Sequence, residues 1–254
     1  MDPGGFGGVT ITKSITIDGS PGNIAGVLVA STNAIIINGA GAVVTLRNLD
    51  IEGLGFTGSP GINGINFLSG AGLHVQNLSI RGFHADPDTS AGIAFKPSTT
   101  ANLFVKDTVI SGSVRGILIK PTGSGAVKAS IARVNLENNL TGIRADTSGG
   151  TATVAVTVSD SVVSGNTNAG MTAFTAPAGG VASTVMVTRS TITNNGNGLN
   201  ANGNAAIMRF GSSVISGNTG APVLISNSAT LTSYGNNQVD DNGSVVVIAT
   251  SPLK

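Results

Sequence analysis

The decapeptide Val44-Thr-Leu-Arg-Asn-Leu-Asp-Ile-Glu-Gly53 contains the pattern that decides the fold. Its first, third and eighth residues are apolar, its fifth is polar or small, and its tenth is Gly, Asn or Asp. The pattern returns in Leu73-His-Val-Gln-Asn-Leu-Ser-Ile-Arg-Gly82 and, less closely, six more times. The eight copies begin at Val44, Leu73, Leu103, Ala129, Val156, Val185, Met208 and Thr232. Because residues alternate with a period of two inside a repeat of 23–30 residues, the sequence predicts short strands stacked in a coil.

A second motif precedes the decapeptide, a Gly followed by an alternating strand such as Gly64-Ile-Asn-Phe67 or Gly116-Ile-Leu-Ile119. Each coil therefore holds at least three strands, and alternation places Leu46 and Ile51 inside. Stacking aligns Leu46 with Val75, Val105, Ile131, Val158, Val187 and Phe210, and Ile51 with Ile80, Ile110, Leu136, Val163, Ile192, Ile215 and Val239. We expect an all-β parallel solenoid of about nine coils in one domain, residues 1–254, with regular coils over about 24–242.

The turns explain why the chain contains 37 Gly and many Asn residues. Asn and Gly tolerate left-handed backbone angles, and stacked amides can bond from coil to coil. One turn position of the decapeptide is occupied by Asn48, Asn77, Asp107, Asp160 and Asn236, which we interpret as turn structure.

Composition excludes several classes of partner. The net charge is +1, so no field of one sign attracts nucleic acid, anionic lipid or an acidic polymer. The chain has no Cys and therefore no disulfide or Cys-ligated zinc. No run of about 18 apolar residues is present, so the sequence predicts no membrane span.

The two motifs, repeated over residues 24–242, resemble the right-handed parallel β-helix of the pectin-lyase-like superfamily. The opening Gly4-Gly-Phe-Gly-Gly-Val-Thr-Ile-Thr-Lys-Ser-Ile-Thr-Ile17 also looks like uncharacterised bacterial proteins of this type, which implies a secreted or extracellular origin. Such proteins normally begin with an amphipathic helix that plugs the first coil. Nothing upstream of Val9 matches that helix, and the first five residues look like an added start. We therefore expect an amino-terminally truncated or engineered β-helix with an uncovered end.

The resemblance implies chemistry that this sequence does not reproduce. Lyases of the superfamily hold calcium in a carboxylate cluster and use Arg or Lys as the base, and its hydrolases use three Asp with a His. The adjacent pair Asp240-Asp241 lies at the far end of the chain, and we interpret it as a turn. His74 is expected on the surface without a carboxylate neighbour. No catalytic residues and no cofactor are predicted.

A row of charged residues follows the Gly-led strands. Stacking places Lys96, Lys120 and Asp146 on successive coils, with Arg144 and Arg115 nearby. Such a row could bind uronate or sulfate groups of an acidic glycan, partly neutralised by Asp146. The alternative is a solvated face whose charges pair weakly.

The longest insertion offers a weaker candidate, a divalent metal site. His84, Asp86 and Asp88 are spaced two apart in the loop Arg81-Gly-Phe-His-Ala-Asp-Pro-Asp-Thr-Ser90. Two carboxylates separated by Pro87 supply few ligands, so we predict that this loop does not bind a metal ion.

The sequence is compatible with three functions. The first is a non-enzymatic structural or interaction scaffold whose uncovered amino-terminal end associates end to end with another copy. The second is a protein that binds or degrades acidic polysaccharide, which rests on the superfamily analogy and on the charged row. The third is ice binding, but Thr191 and Thr193 align with Val162 and Ser164, which interrupts a Thr ladder.

Overall fold

The computed structural model describes residues 4–20, 25–55, 58–176 and 180–252, and within these ranges every helix or strand is a β-strand. The strands are β1 (Gly4–Phe6), β2 (Val9–Ile11), β3 (Ile15–Asp18), β4 (Ala25–Leu28), β5 (Ile35–Asn38), β6 (Val43–Arg47), β7 (Asp50–Glu52), β8 (Asn63–Ser69), β9 (Gly72–Gln76), β10 (Ser79–Arg81), β11 (Ala91–Phe95), β12 (Ala101–Ser111), β13 (Arg115–Ile119), β14 (Ala126–Glu137), β15 (Thr141–Asp146), β16 (Thr153–Ser159), β17 (Val162–Ser164), β18 (Ala169–Phe174), β19 (Ser183–Thr188), β20 (Thr191–Thr193), β21 (Asn197–Asn202), β22 (Ala206–Gly211), β23 (Val214–Ser216), β24 (Val223–Ser226), β25 (Thr230–Ser233) and β26 (Gln238–Asp240).

All of these strands pair in parallel and build a solenoid. Nine of them form one sheet in the order β2-β5-β8-β11-β13-β15-β18-β21-β24, so the chain makes eight turns between the first and the last. The other seventeen form a larger sheet in which the strands stack in two neighbouring columns. The strands β12 and β14 are long enough to belong to both columns and so join them. The predicted parallel β-solenoid is confirmed, with a coil count close to the predicted nine.

The predicted apolar columns form the core. Leu46 lies opposite Val75, and Ile51 lies opposite Ile80. These residues are at most 1% exposed, as are the residues that continue both columns through the central coils. Burial of this kind contributes about 1.5–3 kcal/mol for each large side chain before the entropy of ordering is subtracted.

The left-handed turns are also as predicted, with one correction in the last coil. Asn48, Asn77, Asp107 and Asp160 have φ of 57°, 54°, 52° and 52°. Asn236 does not occupy the equivalent position. Leu231, rather than Thr232, lies opposite Met208, so the last copy begins one residue earlier and its left-handed turn falls at Gly235, with φ of 81°. An extra residue follows that turn, because Val239 still lies opposite Ile215.

A buried amide ladder runs along one edge of the core. The side-chain amide of each Asn donates to the amide oxygen of the next, at 2.8–3.1 Å in every step. Its members are Asn139, Asn166, Asn195, Asn218 and Asn242. The same oxygens accept the backbone N–H of the preceding member, so the ladder satisfies polar groups that the tight turn would otherwise bury unpaired.

The solenoid continues before residue 24, because β1 pairs with β4 and β2 pairs with β5. Residues 1–3 of the expected added start lie outside the described residues. The described part of the chain contains no helix that is long and apolar enough to cross a membrane.

Candidate functional site

The charged row lies on the outer surface of the nine-stranded sheet. The strands β11, β13 and β15 are paired so that Phe95, Ile119 and Ala145 lie side by side and face the core. The residue after each of them therefore faces outward on successive coils, and these residues are Lys96, Lys120 and Asp146. We call this surface, with Arg115 and Arg144, the charged face.

A small apolar cluster lies outside the core, on the same surface of the sheet. Ala91, Ala94 and Leu118 pack together there and are at most 1% exposed. The charged residues around them are only partly exposed. The apolar stems of long cationic side chains can cover such a surface while their charged groups remain near its edge.

Asp146 is the anionic centre of the charged face. Its side chain is 3% exposed and accepts a hydrogen bond from Arg144 Nε at 2.9 Å, with Lys120 Nζ at 3.7 Å. Burial acts to raise the pKa of Asp146, but the hydrogen bonds from Ser148 and the charge of Arg144 outweigh it and lower the pKa. The Arg144 guanidinium in turn lies over the ring of Phe174, 4.3 Å from its centroid.

Lys96 and Arg115 are less completely neutralised. Burial lowers the pKa of Lys96, opposed by Asp86 and assisted by the positive charges of Lys120 and Arg115. Burial is also the largest cause of the lowered pKa of Arg115, followed by the charge of Arg144. Within the part of the chain that the structure describes, neither side chain makes an ion pair within 4.0 Å.

Arg115 holds the adjacent loop. One of its terminal N–H groups donates to the backbone carbonyl of Asp88. Its Nε is buried and has no hydrogen-bond partner among the described residues. A buried guanidinium N–H without an acceptor is costly, and an anion on the charged face could supply one.

The loop proposed as a metal site borders the charged face instead. Asp86 accepts hydrogen bonds from the backbone N–H of Asp88 and of Thr89, at 2.7 and 2.9 Å, so it folds back onto its own loop. These bonds lower the pKa of Asp86, the bond from Asp88 most of all. Burial lowers the pKa of His84. In the described ranges, no three His, Asp or Glu side chains gather in a group that could hold a metal ion.

Two other polar features lie elsewhere on the surface. The ring of His74 stacks on that of Phe104, with centroids 4.6 Å apart, on the larger sheet. Arg81 pairs with Glu52 one coil away and also binds Asp50 at 2.6 Å.

The structure thus brings Lys96, Lys120, Arg144 and Asp146 together on one face, in the predicted stacking order. Sequence reasoning treated the His84–Asp88 loop as a separate candidate, whereas the loop contacts Arg115 and its Asp86 interacts with Lys96. Phe174 was not predicted as a neighbour. It could have been found from the repeat, because it follows the Gly170 strand at the position equivalent to Asp146.

Comparisons with protein-family models, with curated proteins and with solved structures find no match to this chain. The class that the structure defines is therefore the parallel β-solenoid repeat protein, with a cluster of charged residues on its nine-stranded sheet.

Proposed function

We propose that the protein is a non-enzymatic β-solenoid scaffold that binds an acidic glycan on its charged face. The observation that carries the proposal is the convergence of four cationic side chains on three consecutive coils. Asp146 is paired with two of them, Arg144 and Lys120, while Lys96 and Arg115 lack an ion pair within 4.0 Å among the described residues.

The electrostatics favour an anionic ligand. Because partial burial destabilises the charged forms of Lys96 and Arg115, an anion that approaches them recovers interaction energy that water does not supply. Arg guanidinium groups also match the planar geometry of a carboxylate. Cations about 4.8 Å apart along the coils suit a polymer that presents anionic groups at regular intervals.

The resemblance to the pectin-lyase-like superfamily supports an acidic polysaccharide as the ligand, since enzymes of that superfamily act on uronate polymers. It also suggests the right-handed coil and the extracellular setting in which such polymers occur. This support is an analogy of fold.

Binding is a better proposal than catalysis because the acidic residues are already engaged. Asp146 accepts hydrogen bonds from Arg144 and Ser148, which lower its pKa and make it a poor proton donor near neutral pH. Asp86 is held by its own loop. A general acid–base pair needs two titratable groups whose pKa values are set apart, whereas the pKa values of Asp86 and Asp146 are both lowered.

The proposal can be tested by calorimetric titration with an oligogalacturonate, using a neutral oligosaccharide of equal length as the ligand control. Lys96→Gln combined with Lys120→Gln removes two cations without placing a new negative charge beside Asp146. We expect this variant to bind the acidic oligosaccharide at least about tenfold more weakly, a loss of about 1.4 kcal/mol.

The matched control is Lys106→Gln combined with Lys128→Gln, which removes the same charge from exposed positions of the larger sheet. We expect it to bind like the wild type. Equal losses in the two variants would show that attraction is non-specific, and unchanged binding in the first variant would exclude the charged face as the site.

A further inference from the structure

The amino-terminal end of the solenoid contains an apolar hollow. A cavity of about 390 Å³ opens there into the interior of the coil. Its lining includes Val9, Ile15, Ile17, Val27, Ile35 and Leu49. Val9 and Ile15 are each 41% exposed although their strand positions face inward, because no described strand covers them.

The carboxy-terminal end presents exposed apolar side chains. After β26 the chain crosses the end of the coil, and Val246 and Ile248 pack against the core. Val245 and Val247 alternate with them and are 100% and 95% exposed. Two almost fully exposed valines, two residues apart on a segment held against the core, form an apolar surface that faces away from it.

The nine-stranded sheet is open at both ends. Among the described strands, β2 pairs only with β5, and β24 pairs only with β21. At the carboxy-terminal edge, Ile225 is 42% exposed although it continues the inward column of Ala201. The two free edges run in the same direction, so the β24 edge of one molecule could pair in parallel with the β2 edge of another.

We infer that the amino-terminal end of one copy receives the carboxy-terminal end of a second copy, with its coil axis continuous with that of the first. In this arrangement Val245 and Val247 of one copy enter the apolar hollow of the other beside Ile15. The β24 edge of the first copy then pairs in parallel with the β2 edge of the second. The contact joins two different surfaces and does not close on itself, so it generates chains rather than a dimer. This inference is independent of the charged face.

Head-to-tail contact between two copies accounts for more of the exposed surface than contact between two amino-terminal ends. Contact between two amino-terminal ends would leave Val245 and Val247 exposed at both outer ends, and it would pair the free edges in antiparallel rather than parallel orientation. Head-to-tail contact buries both apolar surfaces and continues the parallel ladder of the solenoid.

The test is light scattering coupled to size-exclusion chromatography at protein concentrations up to about 1 mM, which covers weak interfaces. For the wild type we expect an average mass that rises with concentration and passes the mass of a dimer. Val245→Lys combined with Val247→Lys alters side chains that contribute little to the fold and should give a monomer with an unchanged melting temperature. Val109→Lys, at a residue 43% exposed on the side of the coil, is the control and should associate like the wild type.

A mixing experiment distinguishes the two geometries. Ile15→Lys blocks the hollow and leaves the carboxy-terminal end intact, whereas the Val245/Val247 variant does the reverse. Each variant alone should be monomeric, and an equimolar mixture should form a dimer that grows no further. Association of the Val245/Val247 variant with itself would overturn the inference in favour of head-to-head contact, and a wild-type monomer at every concentration would overturn it entirely.

Discussion

At the scale of single residues, Asn166 shows how the coil provides hydrogen-bond partners for its buried polar groups. Its amide oxygen accepts from the backbone N–H and from the side-chain amide of Asn139. Its amide nitrogen donates to the carbonyl of Leu136 and to the amide oxygen of Asn195. The side chain is 0% exposed, so water cannot replace any of these bonds if the amide is removed.

Replacing Asn166 by Ala should therefore destabilise the protein by about 2–4 kcal/mol, more than a single hydrogen bond, because several buried groups lose their partner together. Urea unfolding followed by circular dichroism measures this change. Asn102→Ala, at an exposed position, is the control and should lie within about 0.5 kcal/mol of the wild type. A loss of similar size in both variants would mean that the ladder adds nothing beyond ordinary strand contacts.

Asp146 should make stability depend on pH. Its pKa is lowered in the folded state, so its contribution is complete above the unfolded value of about 3.9 and is lost as pH falls through the lower folded value. Thermal melting of the wild type and of Asp146→Asn between pH 7 and pH 2 isolates this contribution. We expect the variant to be less stable at pH 7 and the difference to shrink towards acid pH, while a difference that stays constant with pH would contradict the assignment.

At the scale of elements, the Gly at the second position of β8, β11, β13, β15, β18 and β21 is required by close packing rather than by backbone angle. At Gly142 an added Cβ would lie 2.5 Å from the carbonyl oxygen of Gly170 and 2.7 Å from a methyl group of Val163. Both neighbours belong to adjacent parts of the solenoid that cannot move independently, so the strand start must be displaced.

Gly142→Ala should cost about 1–3 kcal/mol through this overlap. Gly72→Ala is the matched control, since Gly72 also lies in a strand and its added Cβ would meet nothing closer than 3.6 Å. Denaturant unfolding of the two variants compares them directly. If Gly72→Ala proves the more damaging, close packing is not the reason for Gly at the second position of these six strands.

The sequence predicted the strands correctly where neighbouring copies of the decapeptide contain the same number of residues. The columns of Leu46 and Ile51 follow from alternation alone, because a shift by one residue would expose every apolar side chain. The prediction began the last copy one residue late, at Thr232, because that copy matches the decapeptide pattern poorly and contains an extra residue after Gly235. The path of the 84–90 loop towards Arg115 could not be predicted, because it depends on contacts outside the repeat.

At the scale of the whole molecule, the solenoid separates two kinds of surface. Its side presents the charged face, which is rigid because three coils of a parallel sheet hold the cations in register. Its ends present apolar side chains and free strand edges. A head-to-tail chain would bring many charged faces into one particle, so binding to a long polymer would gain from multivalency without any new contact.

Such multivalency predicts a difference between short and long ligands. A short acidic oligosaccharide should bind the wild type and the Val245→Lys/Val247→Lys variant equally, because both have the same charged face. A long polymer should bind the wild type more tightly, by about 10²-fold or more if several faces engage at once. Binding of the two proteins to surface-immobilised polymer measures this difference. Identical binding would show that assembly makes no contribution to polymer binding by the charged face.

Binding of an acidic glycan to the charged face is tested most directly by a crystal structure of the protein soaked with a short oligogalacturonate. We expect density for the sugar on the outer surface of β11, β13 and β15, with a carboxylate within hydrogen-bond distance of Arg115 or Arg144 and of Lys96 or Lys120. Density for the sugar on the larger sheet or at an end of the coil, with the charged face empty, would contradict it.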